Sequence, residues 1–223
     1  MNKSFAAIVP MRHFSERVPG KNYRSFNGKP LYHHIINTLS KVTQIDKIII
    51  DTDSPFILED AKKYFPKVIL LERPEHLRDG EIPMNEVLLN TIKQVKADFY
   101  LQTHSTNPIL SASTIEKSII AFLDVFPSFD SLFGVTKLHT RLWNDQTQPI
   151  NHNPNVLLRT QDLPPVFEEN SCIYIFTQEI LEKKGNRIGY KPMKFEIPKK
   201  ESWDIDDEDD YLISEYLFKL TNK

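Results

Sequence analysis

Short apolar runs alternate with amphipathic stretches along most of the chain. Ala6-Ala7-Ile8-Val9 is unbroken and apolar, as expected of a strand buried on both faces. Leu31, Ile35, Ile36 and Leu39 then recur at helical spacing, with Pro30 at a first-turn position. Lys47 to Asp51 predicts a second strand, and Ser54-Pro55 opens a helix with a cap and a first-turn proline. Val68 to Leu71 reads as a third strand. Val87, Leu88, Thr91, Ile92 and Val95 mark a third helix. Phe99 to Gln102 is a fourth strand, and Ser113 with Glu116 has capping-box spacing ahead of Ile115, Ile119 and Leu123. Ser131 to Lys137 predicts a fifth strand. This series implies an α/β domain with a mostly parallel, doubly wound sheet.

The rhythm breaks after Leu138. Residues 139–170 are polar and proline-containing, with one strand candidate at Val156-Leu157-Leu158. They read as a small irregular insertion within one domain spanning 1–223, suited to dimerisation or substrate contact. Cys172 to Phe176 and Met193 to Ile197 predict strands on either side of a short helix, Thr177 to Lys184. Asp207 to Leu220 predicts a closing helix capped by Asp207, its first-turn acids complementing the helix dipole.

Composition narrows the class. The 223 residues carry a net charge of −2, against the broad basic excess of a nucleic-acid binder. One cysteine, Cys172, allows no internal disulfide and fits a reducing compartment. No apolar run is long enough for a membrane span, so a cytoplasmic protein is expected. The charges are uneven: Lys3, Arg12, Arg17, Lys21, Arg24 and Lys29 crowd the start, and Glu201, Asp204 and Asp206 to Asp210 crowd a segment near the end.

Three segments could carry chemistry. The first strand empties into Arg12-His13-Phe14-Ser15-Glu16-Arg17-Val18-Pro19-Gly20-Lys21-Asn22. It lacks both the Walker spacing and the three glycines of a dinucleotide fingerprint. It is either an ordinary polar loop or one whose amides, with Arg12, Arg17 and Lys21, hold a triphosphate. Asp204 and Asp206 flank Ile205; on an extended segment they share a side and suit a divalent cation that also takes phosphate oxygens and water. A solvated acidic helix start is the alternative, and it explains Glu208 to Asp210 better than it explains Asp204 and Asp206. Gln102 ends the fourth strand, where it could read a base or sugar edge; His104 by itself does not indicate catalysis. In the first helix, one of His33 and His34 is expected to pack and the other to face water. Cys172 is expected in the core, and Trp203 to pack the Asp204 segment against the sheet.

Taken in order, these segments resemble the acylneuraminate cytidylyltransferases (CMP-sialic acid synthetases), with the CMP-KDO synthetases as relatives. The Arg12-to-Asn22 loop is similar to that family's Arg-x-x-Ser-Lys-x-x-x-Gly-Lys-Asn. Gly28-Lys29-Pro30-Leu31, Asp51-Thr52-Asp53-Ser54, Arg73-Pro74, Leu101-Gln102, Glu169-Asn170-Ser171-Cys172-Ile173-Tyr174 and Asp204-Ile205-Asp206 resemble its later motifs. Glu16 departs from the usual lysine, with Arg17 beside it as in the CMP-KDO branch, whereas Asn22 follows the acylneuraminate pattern. Thr103 to Pro108 replaces Pro-Thr-Ser-Pro.

The resemblance implies a Rossmann-like nucleotidyltransferase fold, a homodimer, and transfer of CMP from CTP to an acidic 2-keto-3-deoxy sugar. Arg12, Ser15, Arg17, Lys21, Asn22 and Arg73 would then bind the nucleotide. Asp204 and Asp206 would hold Mg²⁺ or Mn²⁺, and with Arg12 and Lys21 serve catalysis. Gln102, Lys137, Glu169, Asn170 and Tyr174 would face the sugar. KDO or another sugar as acceptor, and a non-catalytic binding homologue, are the alternatives.

Overall fold

A computed structural model describes residues 3–221. Strand β1 (Phe5–Met11) is buried along its whole length, as its apolar run requires. It pairs in parallel with β4 (Lys47–Thr52) on one side and β6 (Phe99–Gln102) on the other. Two short strands, β2 (Ser25–Phe26) and β3 (Lys29–Pro30), form a separate hairpin. The remaining strands are β5 (Ile69–Glu72), β7 (Ser131–Leu138), β8 (Val166–Phe176) and β9 (Pro192–Glu196). The sheet of seven runs β5-β4-β1-β6-β8-β7-β9.

Only β8 is antiparallel to its neighbours, so the mostly parallel sheet is as expected. Its order holds a surprise. The chain leaves β6, passes through α4 (Ala112–Val125) and skips a place to form β7; β8 then fills the gap between them. Nothing local in either strand encodes that insertion. The other helices are α1 (Leu31–Leu39), α2 (Pro55–Tyr64), α3 (Met84–Gln94), α5 (Gln178–Lys184) and α6 (Glu208–Thr221).

Several boundaries move. Ser54 caps α2 as expected, accepting a hydrogen bond from the Ile57 amide. The cap of α4 is Ser111, not Ser113: Ser111 Oγ accepts from the Thr114 amide, and Ser113 lies inside the first turn. Pro30 precedes α1 rather than entering it. Val156-Leu157-Leu158 is not a strand; these residues sit exposed in a turn-rich excursion with no edge to pair with. β8 begins at Val166, so the irregular excursion covers 139–165. His33 and His34 are both buried, His33 against Asp60 and His34 on the Phe26 carbonyl. The charge of Lys3 belongs elsewhere too, stacked on Phe99 and Phe126.

The β7–β8 pairing slips at one point. Phe133 pairs with Tyr174 but Val135 pairs with Glu169, so residues 170–173 bulge opposite Gly134. Ser171 takes a left-handed φ of 56° to make the bulge. A Cβ at residue 134 would lie 2.7 Å from Asn170 Oδ1 and 2.7 Å from Ile197 Cδ1. Gly134→Ala is therefore expected to destabilise by about 1–3 kcal/mol through overpacking. The urea midpoint reads this directly, and a loss under ~0.5 kcal/mol, the scale of an ordinary surface change, would remove the packing reason for glycine here.

Candidate active site

The chain runs β1, β4, β5 outward on one side and then returns to place β6 on the other side of β1. That reversal is a topological switch point at the carboxyl ends of β1 and β6, the place where open α/β sheets bind ligands. The loop after β1 folds on itself: the amides of Tyr23 and Arg24 both reach the Gly20 carbonyl, and Gly20 adopts φ 66° to allow it. Val18 pins the loop in a small apolar cluster with Phe26, Leu31, Ile205 and Tyr211.

Side chains stitch this loop to the neighbouring strand ends. Asn22 Nδ2 donates to the Arg12 carbonyl at 2.7 Å, and Asn22 Oδ1 accepts from Ser105 Oγ at 2.6 Å. The His13 amide donates to Asp53 Oδ1 at 2.7 Å, and its Nδ1 lies 2.8 Å from Ser54 Oγ. Asn22 is thus buried and holds the loops following β1 and β6 together.

Among the expected phosphate ligands, Arg12 and Ser15 are part-exposed, and neither side chain has a hydrogen-bond or ion-pair partner among the described residues. Arg12 lies beside Gly80. Arg17 is exposed and pairs with Asp206 at 2.7 Å. Lys21 Nζ donates to the Ile205 carbonyl at 2.6 Å. Burial pushes the Lys21 ammonium below its ordinary range, against the opposing charges of Asp204 and Asp206. Glu16 is exposed and makes no contact with these cations.

The acidic segment comes from far along the chain. Ile205 is fully buried and its amide donates to the Thr106 carbonyl at 3.0 Å, which anchors Asp204 and Asp206 against the loop after β6. Beyond them, Asp207 caps α6: its Oδ1 accepts from the Asp210 amide, while Asp210 Oδ2 accepts from the Asp206 and Asp207 amides. The Thr106 side chain favours the charged form of Asp204, yet the Asp204 Oδ1 is enclosed with no hydrogen-bond partner among the described residues. Burial first, and then the charge of Asp206, raise the Asp204 carboxyl above its usual range. An enclosed carboxylate oxygen without a donor is suited to a cation. No group of three or more His, Cys, Asp or Glu side chains that could hold a metal ion occurs among the described residues.

On the other side of β6 lies a connected set. Gln102 is fully buried; its Oε1 accepts from Arg187 Nη1 at 2.7 Å, and its Nε2 lies 2.9 Å from His104 Nε2. Burial, reinforced by Arg187 and Lys21, pulls the His104 imidazole down to about 3, so it stays neutral and accepts from the Gln102 amide. The Arg187 guanidinium sits 3.7 Å over the Tyr174 ring. The Tyr174 hydroxyl donates to Glu169, and Ser171 Oγ lies 3.3 Å from it.

Gln102, Glu169 and Tyr174 therefore share one network, while Lys137 is exposed on β7 with no hydrogen-bond or ion-pair partner among the described residues. The geometry gives Asn170 a different task from the one expected. It is buried within the bulge, its Nδ2 donating to Thr136 Oγ1 and its Oδ1 accepting from the Cys172 amide. Arg73 also differs. It is 1% exposed, and its Nε and Nη2 donate to Asp51 Oδ1 (2.7 Å) and the Asp51 carbonyl (3.0 Å), tying β5 to β4. The structure presents it as a strut rather than an open ligand. Arg187 is the residue that sequence reasoning missed. It lies in a loop just beyond the left-handed Gly185 at the end of α5, with no periodicity to flag it.

The reversal of the parallel sheet is thus edged by a cation-bearing loop, an enclosed Asp204 oxygen and an exposed Asp206, at the place where open α/β sheets take their ligands. The chain belongs to the cytidylyltransferase family, whose pattern matches residues 6–220. A pseudaminic acid cytidylyltransferase from Campylobacter jejuni is 24% identical over 97% of each chain. A CMP-N,N'-diacetyllegionaminic acid synthase from Legionella pneumophila is 27% identical, also over 97% of each. The solved structure of a CMP:2-keto-3-deoxy-manno-octonic acid synthetase complexed with CTP superposes with a TM-score of 0.72 at 16% identity, covering 98% of this chain and 99% of the other, a likeness of fold.

Proposed function

We infer that the protein transfers CMP from CTP to the anomeric hydroxyl of an acidic 2-keto-3-deoxy sugar of the nonulosonic class, releasing pyrophosphate. The observation that carries this reading is Lys21, half-buried and facing Asp204 and Asp206, with the Asp204 Oδ1 enclosed and unpartnered, in the loop that follows β1 and also carries Arg12. The named activities of the two relatives support the sugar class.

Arg12, Ser15, Lys21 and the loop amides hold the triphosphate, and Arg17 exchanges its exposed partner Asp206 for phosphate. Asn22 keeps the two loops in register and Arg73 ties β5 to β4, and together they shape the base side. Asp204 and Asp206 are the residues that would hold Mg²⁺ or Mn²⁺, which would neutralise phosphate charge and lower the pKa of the sugar hydroxyl. The anomeric oxygen gives its proton to solvent and forms a bond to the α-phosphorus as the bond from that phosphorus to the α–β bridging oxygen breaks, and pyrophosphate leaves with that oxygen. Positioning and charge neutralisation supply the acceleration. Gln102, Lys137, Glu169 and Tyr174 line the acceptor side.

The reading includes a homodimer formed through the 139–165 excursion, where Trp143, Ile150 and Leu157 are exposed. It also places the protein in the cytoplasm, in keeping with a single buried thiol. Among the described residues no helix is long and apolar enough to cross a membrane.

Pyrophosphate release with CTP, Mg²⁺ and a panel of 2-keto-3-deoxy sugar acids, run beside Asp206→Ala, tests the reading. Release with one sugar, lost in the variant and with EDTA, is expected. CTP binding without release for any sugar would favour a binding homologue and overturn the enzymatic reading.

A further inference from the structure

Arg187 differs from most arginines in the molecule. Arg17, Arg24, Arg73, Arg78 and Arg159 each pair with a carboxylate. Arg187 is part-buried and has no carboxylate partner among the described residues. Enclosing a cation without an anion is unfavourable unless something compensates. The compensation present is partial: the Gln102 carbonyl at 2.7 Å and the face of Tyr174 at 3.7 Å.

The surrounding loop holds it in place. The Arg187 amide donates to Asn85 Oδ1 on α3, and the Ile188 amide donates to Asn186 Oδ1. Stacking on Tyr174 orients the guanidinium plane, and Gln102 occupies one of its five N–H donors. Other donors of that rigid fork remain for a planar anion, the geometry in which arginine recognises carboxylates. Its place, between the end of β6 and Tyr174 of β8, is across β6 from the triphosphate loop.

We propose that Arg187 binds the carboxylate of the acceptor sugar, with Gln102 and Tyr174 holding its guanidinium ready. This rests on the functional reading above and adds to it the residue that makes the enzyme select an acid. In a 2-keto sugar acid the carboxylate is bonded to the anomeric carbon. Gripping it orients the anomeric hydroxyl toward the α-phosphorus.

The test uses the sugar acid that the wild-type protein turns over, and the same sugar with its carboxylate converted to the carboxamide. Arg187→Gln is expected to raise the KM for the acid by about 10- to 100-fold, the range for one charged hydrogen bond, with the KM for CTP within about threefold. Arg187→Lys should recover part of the loss. The wild-type protein should prefer acid to carboxamide, and Arg187→Gln should have lost most of that preference. A purely structural role would impair both acceptors alike. Equal losses for acid and carboxamide, in Arg187→Gln or in Arg187→Lys should the former not fold, would overturn the proposal. So would an unchanged KM for the acid. Absence of release by the wild-type protein with every sugar acid would instead overturn the functional reading, and this inference with it.

Discussion

Asp204→Asn is expected to cut pyrophosphate release by about 10²- to 10³-fold, the scale of one lost charge-stabilising group, and yet to raise the unfolding midpoint of the protein in EDTA at neutral pH. Both effects have one source. The Asp204 carboxylate is enclosed, one of its oxygens lacks a partner, and Asp206 lies near enough to oppose its charge. Burial raises its folded pKa above the ordinary 3.8. The folded state then binds more protons than the unfolded state just above that value, so stability falls as pH rises through this window. An asparagine carries no such penalty, and its advantage should open as pH rises from about 4 and persist at pH 8. Lys21 loses one favourable neighbour in the variant but keeps Asp206 and the Ile205 carbonyl. Asp206→Asn should behave differently. It breaks an exposed pair with Arg17, worth about 0–1 kcal/mol, so activity should fall with little change in melting. Thermal melts in EDTA across pH 4–8, beside turnover assays, separate the two residues. An Asp204→Asn protein less stable than wild type at pH 8 would contradict the assignment of Asp204 as a strained, cation-seeking carboxylate.

The second large effect concerns Asp51 and Arg73. Their side chains are 0% and 1% exposed and meet at 2.7 Å, and Thr91 Oγ1 donates to the second Asp51 oxygen at 2.8 Å. Removing either partner strands the other's charge in the interior. Asp51→Ala and Arg73→Ala are each expected to cost about 3–5 kcal/mol, a large share of the stability of a domain this size. The pair Asp51→Leu with Arg73→Met should lose much less than the two single losses added together, because no buried charge remains. Urea midpoints of the wild type, the two alanine variants and the Leu–Met double variant read these losses. Single losses under ~1 kcal/mol would mean that water reaches the pair, and would return Arg73 to the ligand role its place in the chain suggests.

Reading the chain and reading the fold succeed in different places. β1, β4 and β6 are legible because strands buried on both faces are built mainly from unbroken apolar runs. The helix starts at Ser54 and Asp207 are legible because caps are local chemistry. Arg12, Lys21, Asp204 and Asp206 stand out for the same reason: cations at a strand end, and two acids around one apolar residue. Local reading fails where partners are distant. Ser111 and Ser113 are equally good caps in isolation, and only the packing of α4 decides between them. Val156-Leu157-Leu158 looks like a strand but finds no edge. Asn170 looks like a ligand until the bulge opposite Gly134 takes both ends of its amide.

The sequence by itself determined the parallel α/β core, the cation-bearing loop and the acidic pair, because periodicity, capping and charge spacing act over a few residues. Only the tertiary structure decided that β8 separates β6 from β7, that Asp204 packs beside Lys21, that Arg73 is spent on Asp51, and that Arg187 meets Gln102. Those outcomes depend on which distant surfaces bury one another and which charges lose their water. No stretch of the chain carries that information alone.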